Sequence, residues 1–157
     1  RPLTAAVDGL AIGVGTTMLL HCYYVVASRT ARFTTPLLGV GLVPEAASSL
    51  LVPAITGHQK AFALLAMGED FSAEDALAAG LIYKIVGEDV IEEEAVKLAE
   101  KVASRAPEAL QISRQLIKRQ PEEVVARIHE EAKRFAERLR SKEAQAAFMA
   151  FMSRKKS

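Results

Sequence analysis

The sequence predicts an α/β fold, in which a mixed core of strands and helices over residues 1–87 precedes a helical region over residues 88–157. The composition changes near Gly87, because glycines and short apolar runs dominate before it and Ala, Glu, Lys and Arg dominate after it. Half of the 157 residues are apolar and a quarter are charged, which is typical of a globular domain with its own core.

The segment from Ala5 to Thr17 predicts a buried strand, a glycine bend and the start of a helix. Gly9 allows a first bend. Gly13 and Gly15 bracket a second, where the absence of a Cβ lets the backbone approach a ligand closely. Because the first amides of a helix have no internal partner, this junction suits an anion, or an oxygen that becomes one during a reaction. The alternative is a loop that merely lets a helix pack closely.

Local signals place the other elements of the first part. Pro44 followed by Glu45 predicts a helix start, because Pro fits the first turn and an acid stabilises the helix dipole there. Ser72, with Asp75 three residues later, predicts a helix N-cap, and Gly80 predicts the end of that helix. The remaining predictions are a helix over 15–22, strands over 23–28, 31–34 and 81–86, a loop over 37–41 and a helix over 59–67.

After Gly87 the predicted elements are helices over 92–105, 107–119 and 122–140, and a final helix capped by Ser141. The third of these is amphipathic, because Val124, Ile128, Phe135 and Leu139 share one face. The apolar faces of the last two helices exceed what so small a core covers, which predicts contact with a partner chain.

The bulk composition excludes several classes of function. A net charge of +1 gives no general attraction to nucleic acid or to a membrane surface. The single cysteine, Cys22, fits a reducing compartment and lies in an apolar run, which favours an inert thiol over a nucleophile. We therefore expect a cytoplasmic protein, or in a eukaryote a peroxisomal or mitochondrial one. The three histidines share no ligand spacing, so no metal site is predicted. The glycine spacing matches neither a dinucleotide fingerprint nor a phosphate loop, so no cofactor is predicted either.

Glu45 is the acid most suited to chemistry. Its neighbours are almost all apolar, so its carboxylate loses hydration, which favours a role in proton transfer. The alternative is an acid that only stabilises a helix N-terminus. The acids and bases after Glu88 are predicted to lie on exposed helix faces.

Several segments together resemble the crotonase superfamily, the enoyl-CoA hydratase/isomerase family. They are Ala5-Ala6-Val7-Asp8-Gly9-Leu10-Ala11-Ile12-Gly13-Val14-Gly15, Ala27-Ser28, Ala31-Arg32-Phe33-Thr34-Thr35-Pro36, Gly41-Leu42-Val43-Pro44-Glu45 and Gly68-Glu69-Asp70-Phe71-Ser72-Ala73-Glu74-Asp75-Ala76-Leu77-Ala78-Ala79-Gly80-Leu81. The resemblance implies the later turns of a ββα spiral, followed by a C-terminal helical oligomerisation region. It corresponds to the later part of the family's length. The earlier part normally supplies most of the CoA pocket and one oxyanion amide. We therefore expect further sequence before Arg1.

The resemblance also implies residue roles in binding an acyl-CoA thioester, which is the substrate and not a cofactor. The backbone amide of Val14, between Gly13 and Gly15, would hold the thioester oxygen as it becomes an enolate. The two water-activating glutamates of the hydratases correspond to Thr17 and Leu37, so Leu37 is expected to contact substrate without acting as a base. Glu45 would be the single acid of a Δ3,Δ2-enoyl-CoA isomerase. Arg154 would approach the CoA phosphates.

Three functions follow from these expectations. The first is an isomerase that shifts the double bond of 3-enoyl-CoA to give 2-enoyl-CoA, assembled as a trimer or hexamer. The second is a non-catalytic or truncated crotonase-fold module that serves in assembly. The third is an enoyl-CoA hydratase, which needs a pair of acids that this chain lacks.

Overall fold

The computed structural model of the protein describes residues 2–118 and 120–154. Short strands alternate with helices in its first half, and four helices make up its second half. The strands are β1 (Thr4–Val7), β2 (Leu10–Ile12), β3 (Tyr24–Ser28), β4 (Arg32–Thr34), β5 (Phe71–Ser72) and β6 (Lys84–Val86). The α-helices are α1 (Val14–Thr17), α2 (Ser48–Thr56), α3 (His58–Phe62), α4 (Ala73–Ala79), α5 (Ile91–Ala103), α6 (Pro107–Ile117), α7 (Pro121–Leu139) and α8 (Lys142–Arg154).

The strands form two small sheets. In one, β3 lies between β1 and β6 and pairs with both in parallel; in the other, β4 pairs in parallel with β2 and antiparallel with β5. The chain passes from the first sheet to the second between β1 and β2, and again between β3 and β4. Gly9, with a φ of 97°, lies at the first of these corners. Two successive strand–strand–helix units therefore stack on one another, which confirms the predicted α/β fold and its spiral.

The core lies between these sheets and the helices that follow them. Val26 and Ala27 in β3, Phe33 in β4 and Leu64 after α3 are all buried to 1 % exposure or less. Burying such apolar side chains is the main source of stability, at about 1.5–3 kcal/mol for each large one. The core therefore fixes β4 and, beside it, the bend at Gly13 where α1 begins.

Several predicted boundaries differ from the observed ones. The run after Gly9 forms the strand β2 rather than only a bend. The helix predicted over 15–22 is one α-helical turn, α1, followed by a 3₁₀ turn over Met18–His21. The predicted loop over 37–41 contains a 3₁₀ turn over Leu38–Val40. Elements of three or four residues are too short to show a clear hydrophobic periodicity, so the sequence patterns predict their ends poorly.

The predicted helix start at Glu45 is wrong. Helix α2 begins at Ser48, and both Ala46 and Ala47 have a left-handed backbone with φ of 59°. A left-handed residue cannot continue a right-handed helix, so Glu45 lies in the turn that precedes α2. By contrast, the cap predicted at Ser72 and the end predicted at Gly80 are both confirmed.

The helical second part matches its prediction to within a few residues. Ser141 caps α8, because its Oγ accepts a hydrogen bond from the amide of Ala144 at 3.2 Å. Large apolar side chains of α8, among them Met149 and Phe151, are exposed. The predicted trimer or hexamer would cover them and stays a prediction. In the described part of the chain, no helix combines the length and apolarity needed to cross a bilayer.

Candidate active site

Gly13 makes the bend between β2 and α1. Its φ of 56° and ψ of −119° lie in a region that L-residues with a Cβ rarely adopt. Its amide donates to the Thr34 carbonyl at 2.9 Å, and its carbonyl accepts hydrogen bonds from the amides of Thr16 and Thr17. The bend is thus anchored on both sides, in β4 and in α1.

Val14 and Gly15 follow this bend as the first residues of α1, and their amides donate to no acceptor in residues 2–118 or 120–154. The strained backbone falls on Gly13, and Val14 keeps an ordinary helical conformation, so the valine side chain is tolerated. No neighbouring heavy atom lies within 4 Å of a Cβ placed at Gly13 or Gly15. Two free amides beside open space form an arrangement that can bind a negatively charged oxygen.

Thr17 and Glu45 are joined directly. Thr17, at 1 % exposure, donates from Oγ1 to Glu45 Oε1 at 2.5 Å. Thr17 belongs to α1 and Glu45 to the turn before α2, so this hydrogen bond ties the catalytic candidate to the same short helix that carries the free amides. Glu45 is itself half-buried.

An open, largely apolar cleft of about 700 Å³ contains three of the predicted site residues, Val14, Leu37 and Glu45. Helix α7 covers it with one face, contributing Ile128, Ala132, Phe135, Ala136 and Leu139. Nine residues of the described part of the chain line the cleft, and Glu45 is the one ionisable residue among them. A lone carboxylate among apolar groups, beside free amides, can take a proton from a bound molecule and return it.

Glu131 is a buried acid that the sequence analysis missed. It lies on α7 at 6 % exposure, whereas the acids after Glu88 were predicted to be exposed, and for Glu131 that prediction is wrong. Its Oε2 accepts from the amide of Ala47 at 2.6 Å, and its Oε1 accepts from the amide and hydroxyl of Ser49 at 2.9 Å and 2.5 Å. A signal was present, since Glu131 is three residues after Ile128 and four before Phe135, on the apolar face of α7.

The other ionisable groups near the site have different surroundings. His21 donates from Nε2 to the carbonyl of Ala46 at 2.8 Å, which binds it to the turn rather than to the cleft. Burial raises the pKa of the Cys22 thiol, and the nearby Lys118 charge only partly opposes that effect, in accord with an inert thiol. The described residues contain no group of three or more His, Cys, Asp and Glu side chains that could hold a metal ion.

Comparison with known proteins decides the family. A model of the enoyl-CoA hydratase/isomerase family matches residues 1–157. The chain belongs to this family. It is 34% identical to enoyl-CoA delta isomerase 2 of Rattus norvegicus over 99% of this chain and 40% of that protein. It is 33% identical to a probable enoyl-CoA hydratase of Rhizobium meliloti over 96% of this chain and 60% of that protein.

Solved structures of the family share the fold of this chain. The crystal structure of an enoyl-CoA hydratase/isomerase from Pseudoalteromonas atlantica gives a TM-score of 0.95 at 46% identity, over 98% of this chain and 62% of that one. Pseudomonas aeruginosa OdaA gives a TM-score of 0.91 at 44% identity, over 97% and 62%. The chain spans about half the length of the curated relatives that it matches.

The predicted site residues thus fall into two groups. Gly13, Val14, Gly15, Leu37 and Glu45 all lie at or beside the cleft. The sixth, Arg154, is the last residue of α8, and its side chain lies outside the described part of the structure, so its predicted contact with CoA phosphates stays a prediction.

Proposed function

We propose that this family member is a Δ3,Δ2-enoyl-CoA isomerase, which uses one glutamate and a backbone oxyanion site to convert 3-enoyl-CoA to 2-enoyl-CoA. The observation that carries the proposal is the single acid of the cleft. A double-bond shift needs one group that removes a proton and returns it at a nearby carbon, and among the described residues Glu45 is the only ionisable one that lines the cleft.

In the proposed reaction the thioester oxygen accepts a hydrogen bond from the amide of Val14, and the free amide of Gly15 lies beside it. The Glu45 carboxylate removes a proton from C2 of the 3-enoyl-CoA, and the electron pair of that C–H bond moves into a dienolate whose negative charge rests on the thioester oxygen. The amides stabilise this charge as it develops. The protonated Glu45 then returns its proton to C4, and the double bond closes between C2 and C3. No atom is gained or lost, and the carboxylate is regenerated.

The surroundings of Glu45 support its part in this reaction. The apolar face of α7 lines the cleft beside the carboxylate, so a bound substrate would displace water there and interact more strongly with Glu45. The Thr17 hydroxyl holds one carboxylate oxygen and leaves the other for the proton. Acyl-CoA would be the substrate, with no further cofactor, and a homotrimer or hexamer would cover the exposed side chains of α8.

Hydration is the second candidate, because relatives named as hydratases match the chain as well as the isomerases do. In this chain Thr17 and Leu37 stand at the two positions that the family resemblance assigns to water-activating acids. Neither side chain can act as a base at neutral pH. Hydration would therefore depend on Glu45 alone.

Rates on two substrates separate these functions. The protein is incubated with a 3-enoyl-CoA, and formation of the conjugated 2-enoyl-CoA is followed by its absorbance. Its hydration of crotonyl-CoA is measured in parallel. The proposal expects the isomerisation rate to exceed the hydration rate by at least about 100-fold, the contribution of one positioned acid or base. Equal rates, or hydration alone, would assign the protein to the hydratases. Acyl-CoA binding without turnover would favour the non-catalytic module.

A further inference from the structure

We infer that Glu131 is a positioning residue for Glu45. It lies outside the cleft lining and acts through the turn Glu45–Ser49 that carries the catalytic candidate. This inference rests on the proposed function in one respect, the effect of Glu131 on turnover. Its structural part stands on the geometry of the turn.

The turn itself has a conformation that needs support. Ala46 and Ala47 are consecutive residues with φ of 59°, the only non-glycine positive φ values in the described residues. Each such residue is disfavoured relative to a right-handed one, because its Cβ approaches the following carbonyl oxygen. Two in succession persist only if the surrounding structure holds them, and their conformation decides where Glu45 points.

Glu131 supplies that support from α7. Its two carboxylate oxygens accept three hydrogen bonds, from the amide of Ala47 and from the amide and hydroxyl of Ser49. These donors lie at the N-terminus of the nine-residue helix α2, where unpaired amides attract a negative charge. Arg127, one turn earlier on α7, donates from Nη1 to Ser49 Oγ at 3.1 Å and orients that hydroxyl toward Glu131.

A second contact holds the turn from the opposite side. His21 donates to the carbonyl of Ala46, while Glu131 accepts from the amide of Ala47. Side chains from two different elements therefore hold the left-handed pair at the carbonyl of Ala46 and the amide of Ala47. Glu45 extends from one end of this fixed pair to Thr17. Helix α7 thus does two things for the site, since one face covers the cleft and Glu131 sets the turn beneath it.

The test compares Glu131→Gln with Glu137→Gln. The first variant keeps the size of the side chain but replaces one acceptor oxygen by an amide that must face a donor. The second makes the same change at an exposed acid farther along α7, which pairs with Arg134 and touches none of the groups that hold the turn. Amide hydrogen exchange, the NMR resonance of the Glu45 carboxyl carbon, and kcat and KM for 3-enoyl-CoA are measured for both variants and the unaltered protein.

In Glu131→Gln we expect exchange to rise about tenfold at Ala47 or at Ser49, whichever amide faces the new NH2 group, since that donor loses its acceptor. We expect the Glu45 resonance to move, and kcat to fall by about 10–100-fold with KM within about twofold, as displacement of a reacting group predicts. Glu137→Gln should change none of these. Ser49→Ala, which removes one of the three hydrogen bonds, should move each readout in the same direction by less.

Two results would overturn the inference. One is an unchanged Glu45 resonance in Glu131→Gln. The other is increased exchange spread evenly over α2 and α7, which would mean that Glu131 serves only general stability. Should the unaltered protein fail to isomerise 3-enoyl-CoA, the proposed function falls, and the exchange and resonance measurements still decide whether Glu131 positions Glu45.

Discussion

The hydroxyl of Thr17 donates to the carboxylate of Glu45 across 28 residues of sequence, at 2.5 Å between Oγ1 and Oε1. This contact joins the short helix that offers free amides to the turn that offers the acid. Thr17→Val keeps the shape of the side chain and removes the donor. We expect kcat to fall about tenfold, because Glu45 loses the hydrogen bond that orients it. A change of this size corresponds to the free energy of one hydrogen bond to a charged group. Steady-state kinetics with 3-enoyl-CoA measure this. Thr17→Ser, which keeps the hydroxyl, is the control, and an equal loss in both variants would refute the assigned role.

The bend at Gly13 depends on a backbone conformation that disfavours any Cβ. Gly13→Ala is expected to lower the free energy of unfolding by about 1–3 kcal/mol, although open space surrounds the position. Gly15→Ala is the matched control, because Gly15 lies in α1 with open space around it and has no positive φ. Alanine there should be neutral or slightly stabilising. Urea unfolding measures both variants. A similar loss in the two would show that the bend conformation is not the cause.

Gly41 lies in the loop before Glu45, and it contacts the end of α7 and the start of α8. It has a φ of 73°, a Cβ there would lie 2.8 Å from the amide nitrogen of Ala144, and Arg138 donates from Nε to its carbonyl at 2.9 Å. Gly41→Ala should cost about 2 kcal/mol or more, since backbone strain and a clash with backbone add together. Gly39→Ala, two residues earlier in open space, should cost little. Chemical denaturation compares them. Equal stability of the two variants would contradict this packing.

The cap of α4 predicts a pH-dependent effect. The hydrogen bond from the Ser72 hydroxyl lowers the pKa of Asp75 from its ordinary value of 3.8, and the Ser72 amide adds to this shift. A carboxyl group whose pKa is lower in the folded state stabilises the protein above its unfolded pKa, and this contribution is lost as the pH falls through the folded pKa. Ser72→Ala should therefore lower the stability most at neutral pH.

The check is urea unfolding of Ser72→Ala and the unaltered protein from pH 7 down to about 3. The difference in their free energies of unfolding should narrow toward the acid end. Ser153→Ala serves as the control, because the Ser153 hydroxyl binds a carbonyl rather than an acid. A difference that stays constant across the range would mean that Asp75 does not respond to Ser72.

Sequence patterns predicted most of this fold because its elements carry strong local signals. The cap at Ser72, the end at Gly80 and the long amphipathic helix α7 follow from hydrogen-bonding groups and periodicity within a few residues. The error at Glu45 has a different origin. Pro44 followed by an acid is a fair helix start, yet Ala46 and Ala47 are left-handed, and no local propensity of alanine indicates that.

The site was only partly accessible to the same reasoning. Glu45 was singled out by its apolar neighbours and Val14 and Leu37 by the family resemblance, and the structure brings all three to one cleft. The contacts that hold them together are long-range. Glu131 accepts hydrogen bonds from Ser49 and Ala47, which precede it by 82 and 84 residues. These contacts depend on how α7 lies over the turn, and no local sequence pattern indicates that. The one local indication that Glu131 is buried was its position on the apolar face of α7.

In the proposed reaction the Glu45 carboxylate alone moves the proton. Glu45→Gln tests it most directly, with single-turnover conversion of 3-enoyl-CoA followed by absorbance and acyl-CoA binding followed by calorimetry. We expect conversion to fall by at least about 100-fold while binding is kept, because the amide of glutamine has the same shape and cannot accept the proton. Conversion in Glu45→Gln at the rate of the unaltered protein would contradict it.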